Sequence, residues 1–297
     1  MQRVRTSAGS IAVEISGQGH PLLLLHGFPQ TGLMWRDIAP DLSRDHTVVV
    51  ADLPGYGESD PPKEDAGKRM SKRSMGSMLV DLMAALGHER FAVAGHDRGG
   101  RVAYRIAMDH PHNVTHLVVM DVIPTSEVWG RADARMALAF WPYSFLAQPA
   151  PLPETLLLAA AEAVVDDALT NWGTPPESFS PEVRDAYVAA LRDPSTAAAI
   201  CDEYRAASTI DREHDQSDRQ NGKLIECPTL VLWDAEGGLG QWYEDAGGPL
   251  GIWRRWAVHV TGEPMEGGHF FPEHVPARTT RAMAKFLSVG NDRLRWP

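Results

Sequence analysis

Short apolar runs recur along the chain, and each ends at a loop that carries glycine or an acidic residue. The clearest are PLLLLHG (21–27), HTVVVADLPG (46–55), FAVAGHD (91–97), HLVVMD (116–121), TLVLWDAEG (229–237) and AVHVTG (257–262). Segments of helical period lie between them, including 72–87, 99–109 and 277–288. Because uninterrupted apolar runs are typical of parallel strands buried on both faces, the pattern predicts an α/β fold, with a mostly parallel sheet flanked by helices.

The alternation of strand and helix breaks between Ile123 and about Gly222, where helical segments are punctuated by proline. We expect a helical cap at 124–222, inserted between two parts of one core at 1–123 and 223–297. The apolar runs are much shorter than the roughly 20 residues that a membrane helix needs, so no membrane partner is expected.

Composition narrows the function classes. The chain has 297 residues, 43% of them hydrophobic, and a formal net charge of -11, which disfavours binding to nucleic-acid phosphates. Two cysteines, Cys201 and Cys227, cannot form a disulfide framework, and the first ten residues lack the apolar stretch of a signal peptide. We therefore expect a cytoplasmic protein. No metal or organic cofactor is expected, because no ligand cluster or phosphate-binding loop is present.

The stretch GHDRG, from Gly95 to Gly99, matches the G-x-S-x-G nucleophile elbow with Asp97 in the place of serine. It follows a predicted strand and precedes a predicted helix, which is the context that this motif requires. A serine that attacked a saturated carbon would leave an ether, whereas a carboxylate leaves an ester that water can hydrolyse. Asp97 therefore indicates attack on a saturated carbon that bears a leaving group.

Hydrolysis of such an ester needs an oxyanion hole and a base. The loop HGFP (26–29) follows a strand, so the backbone amides of Phe28 and Arg98 are the expected oxyanion donors. His269, in GGHFFPE, lies after the last strand and is the candidate base. A carboxylate must orient the imidazole. Asp121 on one strand, and Asp234 or Glu236 after another, are the candidates.

Two arginines follow the nucleophile. Arg98 is adjacent to Asp97, and Arg101 lies about one helical turn further along the same helix. A pair of guanidinium groups at a helix N-terminus suits a small anionic substrate, whose carboxylate they would hold while its α-carbon faces Asp97. Arg98 and Arg101 are thus the candidate carboxylate-binding residues.

Several longer motifs occur in one order: DLPGYGES, GHDRGGRVAYR, DVIPT, FLAQPAPLPE, EYRA, EHD and GGHFFPE. With them the chain resembles the α/β-hydrolases, and within these the haloacetate (fluoroacetate) dehalogenases, over nearly its whole length. The resemblance implies an α/β-hydrolase fold with a helical cap, hydrolytic dehalogenation of short 2-haloacids through an aspartyl ester, Asp121 as the acid beside His269, and a homodimer.

The resemblance also implies a halide pocket made by cap residues. Tyr204 matches the family's tyrosine, and Trp172 matches a cap tryptophan that shapes the cavity. Where the family has a histidine and a tryptophan, this chain has Pro142 and Tyr143, with Trp141 beside them. Because proline offers no donor for a departing fluoride, the departure predicts that chloroacetate and bromoacetate are preferred over fluoroacetate.

Two other functions remain open from the sequence. An epoxide hydrolase shares the HGFP loop and an aspartate elbow, and Tyr143 and Tyr204 could protonate the opening epoxide. It would, however, give Arg98 and Arg101 no role. A non-catalytic binding protein on the same fold is a weaker alternative. Release of halide, formation of a diol, or ligand binding without turnover distinguishes the three.

Overall fold

A computed structural model describes residues 1–63 and 68–288 of the chain. Its sheet has eight strands in the order β1-β2-β4-β3-β5-β6-β7-β8, antiparallel from β1 through β2 to β4 and parallel from β4 to β8. The strands are β1 (Gln2–Arg5), β2 (Ser10–Ser16), β3 (His20–Leu25), β4 (His46–Ala51), β5 (Phe91–His96), β6 (Val114–Met120), β7 (Thr229–Asp234) and β8 (Val260–Met265).

Helices flank this sheet. They are α1 (Ala39–Leu42), α2 (Lys72–Ala85), α3 (Asp97–Asp109), α4 (Thr125–Gly130), α5 (Ala134–Ala139), α6 (Trp141–Phe145), α7 (Leu152–Ala159), α8 (Ala161–Asn171), α9 (Pro181–Leu191), α10 (Pro194–Ser208), α11 (Ile210–Gln220), α12 (Gly238–Trp242), α13 (Gly248–Trp253), α14 (Phe271–His274) and α15 (Pro276–Ser288). Short 3₁₀ turns occupy Gly32–Trp35, Pro176–Ser178 and Glu244–Ala246.

The α/β class and the parallel sheet predicted from the apolar runs are confirmed. The leucines of β3 are fully buried and alternate between two core layers, with Leu23 and Leu25 on one face of the sheet and Leu22 and Leu24 on the other. Helix α2 packs on α3 in the first layer, and α1 contacts α15 on the opposite side. Burial on both faces explains why these strands have uninterrupted apolar sequences.

The apolar pattern missed the hairpin of β1 and β2 at the sheet edge. β1 is largely exposed and polar. In β2 the three buried residues 11–13 are followed by the exposed Glu14, so neither strand gives a continuous apolar run. The last strand also lies further along than predicted, at Val260–Met265 rather than 257–262.

Between β6 and β7 the chain is helical from α4 to α11, in the stretch for which a cap was predicted. Helix α10 packs on α7, α9 and α11 and also contacts α2 of the core, while α11 packs on α4. We call this helical block, from α4 to α11, the cap. Its Tyr204, on α10, packs edge to face on Phe28 after β3, so the block lies beside the end of that strand. Among the residues that the structure describes, no helix has both the length and the apolar character needed to cross a bilayer.

Candidate active site

The elbow that presents Asp97 is a sharp turn between β5 and α3. Asp97 has φ +46°, a left-handed conformation that is unfavourable for a residue with a side chain. The turn requires glycine on both sides, because a Cβ on Gly95 would lie 2.3 Å from the Gly99 backbone and one on Gly99 would lie 2.4 Å from the carbonyl oxygen of His26. The spacing of the two glycines thus lets the elbow pass close to β3 and hold the carboxylate at the helix N-terminus.

One backbone amide bonds this carboxylate, and a second belongs to the next residue of the chain. The Phe28 amide donates to Asp97 Oδ1 at 3.0 Å. The Arg98 amide is one of the first four of helix α3, which lack intrahelical acceptors. The Phe28 amide therefore bonds the carboxyl group that would become the ester. The Arg98 amide, in the next residue of the chain, is the other candidate donor.

His269 is held by a carboxylate on a neighbouring strand end. Its Nδ1 bonds Asp121 Oδ2 at 2.6 Å, and its buried Nε2 has no hydrogen-bond partner among the described residues. Asp121 follows β6 with φ +51°. Asp234 hydrogen-bonds this pair through its backbone, since its amide donates to Asp121 Oδ1 at 2.9 Å, and its negative charge is one of the smaller causes that raise the pKa of His269. Of the three carboxylates considered from the sequence, Asp121 is the one that the structure joins to the imidazole.

Neighbouring charges shift the pKa of Asp97 and the pKa of His269. Burial would raise the pKa of Asp97, but His269, Arg98 and His96 stabilise its charge, and the pKa lies below the usual value. Burial would lower the pKa of His269, but the hydrogen bond and charge of Asp121 and the charge of Asp97 raise it above 6.5. Asp97 is therefore ionised at neutral pH, and its negative charge shifts His269 towards the imidazolium form.

Asp97, Asp121 and His269 line a cavity of about 760 Å³. Arg101 lines it as well. The Arg101 Nη1 donates to the Ile123 carbonyl at 2.9 Å, its Nη2 donates to the Tyr143 hydroxyl, and its buried Nε has no partner among the residues described. The guanidinium is therefore fixed by the protein and retains a free donor.

The prediction that the Arg98 side chain also holds a substrate is corrected by its position. Arg98 is fully buried and does not line the cavity. Its Nε contacts both carboxylate oxygens of Glu203, at 3.0 and 2.9 Å, and its guanidinium carbon lies 4.1 Å from the ring centre of Tyr204. Lys72 forms a second ion pair with Glu203. Glu203 supplies its countercharge, and the guanidinium packs on the Tyr204 ring outside the cavity lining, although its buried Nη1 has no partner among the described residues.

A family model described as the alpha/beta hydrolase fold matches residues 20–246. The chain belongs to the α/β-hydrolase family. It is 38% identical over 291 residues to a fluoroacetate dehalogenase from Burkholderia sp., covering 97% of this chain and 94% of the relative. It is 28% identical to a soluble epoxide hydrolase from Corynebacterium sp. strain C12, covering 92% of each chain. A solved structure provisionally assigned as an α/β hydrolase, from Nostoc sp. PCC 7120, is 42% identical with a TM-score of 0.92, covering 97% of both chains.

Three of the four aromatic residues predicted for the halide pocket of this α/β hydrolase line its cavity, namely Tyr204, Tyr143 and Trp172. The Tyr143 and Tyr204 rings meet edge to face, with centroids 5.9 Å apart. Trp141 is the exception, because its indole N–H donates to Asp167 at 2.9 Å and its side chain does not line the cavity. The structure therefore does not place Trp141 with the other three.

Sequence reasoning missed two sets of residues in this α/β hydrolase. Glu203 and Lys72 form the buried charge cluster with Arg98. The sequence signal for this cluster was an acidic residue directly before Tyr204 on the same helix. Phe140 and Trp242 line the cavity, but they come from the cap and from α12 after β7. No local motif joins two such distant segments, so the fold alone reveals them.

Proposed function

We propose that the protein is a hydrolytic dehalogenase that converts short 2-haloacids into 2-hydroxyacids and halide. The observation that carries the proposal is that Arg101 lines the same cavity as Asp97, while its buried Nε has no hydrogen-bond partner among the residues that the structure describes. It gives an acid's carboxylate a fixed partner beside a nucleophile suited to saturated carbon. The 38% identity to a fluoroacetate dehalogenase supports the same activity.

In the first step an Asp97 oxygen attacks the α-carbon of the acid, and the carbon–halogen bond breaks with its electron pair leaving on the halide. The depressed pKa of Asp97 keeps it ionised for this attack. Tyr204 and Tyr143 line the cavity with hydroxyl groups that can donate to the departing halide. The product is an ester between Asp97 and the acid.

In the second step His269 Nε2 takes a proton from water, which attacks the carbonyl carbon of the ester. Esterification removes the Asp97 charge that helps to raise the pKa of His269, so the neutral base is favoured when it is needed. Asp121 stabilises the imidazolium that forms. The oxyanion accepts from the Phe28 and Arg98 amides. The hydroxyacid leaves with the former Asp97 oxygen and regains the proton, while the water oxygen stays on Asp97.

Arg101→Leu is expected to raise KM for chloroacetate by roughly 10- to 100-fold with a smaller fall in kcat, because it removes charged hydrogen bonds worth about 1.5–3 kcal/mol. Arg101→Lys keeps the charge without the fork and should give an intermediate KM. Initial-rate kinetics measure both, and melting temperatures identify variants that fail to fold. An unchanged KM in a folded Arg101→Leu protein excludes this residue from carboxylate binding.

Chloroacetate and bromoacetate should be turned over roughly 10- to 100-fold faster than fluoroacetate. Fluoride needs strong hydrogen-bond donors as it leaves, and Pro142, which lines the cavity, offers none. Ion-selective measurement of halide released from the three acids at matched concentrations gives the order. Fluoride release as fast as chloride release contradicts this specificity, whereas no halide from any of the three contradicts the dehalogenase assignment.

Epoxide hydrolysis is the second candidate. Tyr143 and Tyr204 both line the cavity, and such a pair could protonate an opening epoxide while Asp97 attacks the ring carbon. Because Arg98 is paired with Glu203 and does not line the cavity, the cavity is also less cationic than a site with two arginines would be. Chromatographic detection of diol from styrene oxide, without halide release from haloacids, would favour this activity.

A further inference from the structure

The cavity around Asp97 is much larger than a short haloacid. Its volume of about 760 Å³ lies within the roughly 300–1,000 Å³ typical of sites for drug-sized ligands. Chloroacetate occupies only the space of a few water molecules, at about 30 Å³ each. An unsubstituted haloacetate would therefore leave most of the cavity to solvent.

A row of four aromatic rings follows the cavity wall. Ring centroids are 5.9 Å apart from Tyr204 to Tyr143, 6.1 Å from Tyr143 to Phe140 and 5.2 Å from Phe140 to Trp242. All four residues line the cavity. The Tyr143 hydroxyl accepts a hydrogen bond from Arg101, so the row runs beside this guanidinium. Beyond Tyr143 it continues to Phe140 and Trp242.

The lining beyond Tyr143 is apolar. Phe140 precedes α6 of the cap, Trp242 and Leu239 lie on α12 after β7, and Val128 lies on α4. We call these four residues the aromatic arm. A group placed against them would meet carbon surfaces, and burying apolar area there contributes about 25 cal/mol for each Å² removed from water.

Negative charge at the cavity margin limits what this group can be. Glu236 and Glu266 line the cavity and are exposed, so they lie at its opening to solvent. Asp234 lines it as well, and its backbone amide donates to Asp121. A second carboxylate on the substrate would be repelled by these acids. The substituent that suits the arm is therefore apolar and uncharged.

We propose that the aromatic arm binds an aryl or alkyl substituent on the α-carbon of the substrate acid, so that substituted 2-haloacids are the substrate class of this site. The carboxylate pairs with Arg101, the α-carbon faces Asp97, and the substituent extends past Tyr143 onto Phe140 of the arm. The reaction remains the two-step displacement described above. The turnover part rests on the proposed function, but the binding part does not, because it concerns an acid without a leaving group.

Binding of phenylacetate and acetate, which carry no halogen, tests the arm directly. Isothermal titration calorimetry should show phenylacetate binding about tenfold or more tightly than acetate, the effect of burying roughly 60 Å² of apolar surface. Phe140→Ala and Trp242→Ala should each remove most of this preference and leave acetate binding unchanged. Phe145→Ala is the matched control, because Phe145 is a half-buried phenylalanine of the same cap region that does not line the cavity.

The outcomes separate this inference from the proposed function. Equal affinity for the two acids, or an equal loss of preference in Phe140→Ala and Phe145→Ala, overturns the aromatic arm. Chloride release is then measured from chloroacetate and 2-chloro-2-phenylacetate, where a lower KM for the substituted acid supports the substrate class. Tight phenylacetate binding without chloride from either acid supports the arm and contradicts dehalogenation. Chloride from chloroacetate with no preference for phenylacetate contradicts the arm and supports dehalogenation.

Discussion

The His269→Asn protein should gain the mass of one carboxymethyl group when it is incubated with bromoacetate, and it should keep that mass after the reagent is removed. Asp97 can still attack, because its ionisation also depends on Arg98 and on the Phe28 amide. Asparagine cannot take the proton from water, so the ester persists and steady-state turnover falls by a factor on the order of 10⁴ or more. Intact-protein mass spectrometry detects the adduct, and peptide mapping assigns it to Asp97.

His274→Asn is the control for this experiment. His274 lines the same cavity, but its Nδ1 bonds Ser178 rather than Asp121. It should turn over substrate without accumulating an adduct. If the His269→Asn protein stays unmodified and releases no halide, the two-step mechanism is wrong.

Asp121→Asn is expected to lower kcat by roughly 10⁴-fold, while Asp234→Asn lowers it by less than about tenfold. Asparagine at 121 keeps the shape but cannot stabilise the imidazolium of His269, and it can impose the wrong tautomer. Asp234 contacts the pair through its backbone amide, which the substitution retains. Pre-steady-state kinetics should place the Asp121→Asn defect in ester hydrolysis, with a burst of halide from the first turnover. A larger loss in Asp234→Asn than in Asp121→Asn would move the acid to the later strand.

The fold was predictable where burial leaves a sequence pattern. Strands β3 to β7 are buried on both faces, so each reads as a continuous apolar run that ends in a polar loop. The edge hairpin was not predictable in the same way, because β1 faces solvent for most of its length. Pattern recognition thus fails where one face of a strand has no core to contact.

The site was predictable to the level of its backbone. Positions directly after strands, such as Asp97 and Asp121, converge because the carboxyl ends of parallel strands share one edge of the sheet. Side-chain partners across the cap were not predictable. Arg98 and Arg101 look equivalent in the sequence, but Glu203, about a hundred positions away, engages one and leaves the other in the cavity.

The Arg98–Glu203–Lys72 cluster also bears on how the protein unfolds. Glu203 belongs to α10 of the cap, whereas Arg98 and Lys72 belong to core helices, and all three side chains are almost fully buried. An opening that withdrew Glu203 while Arg98 and Lys72 stayed buried would leave uncompensated charge in the interior, at a cost of about 3–5 kcal/mol. An opening confined to α10 is therefore disfavoured relative to global unfolding. Glu203, the residue next to Tyr204, thus couples the unfolding of its helix to that of the core helices.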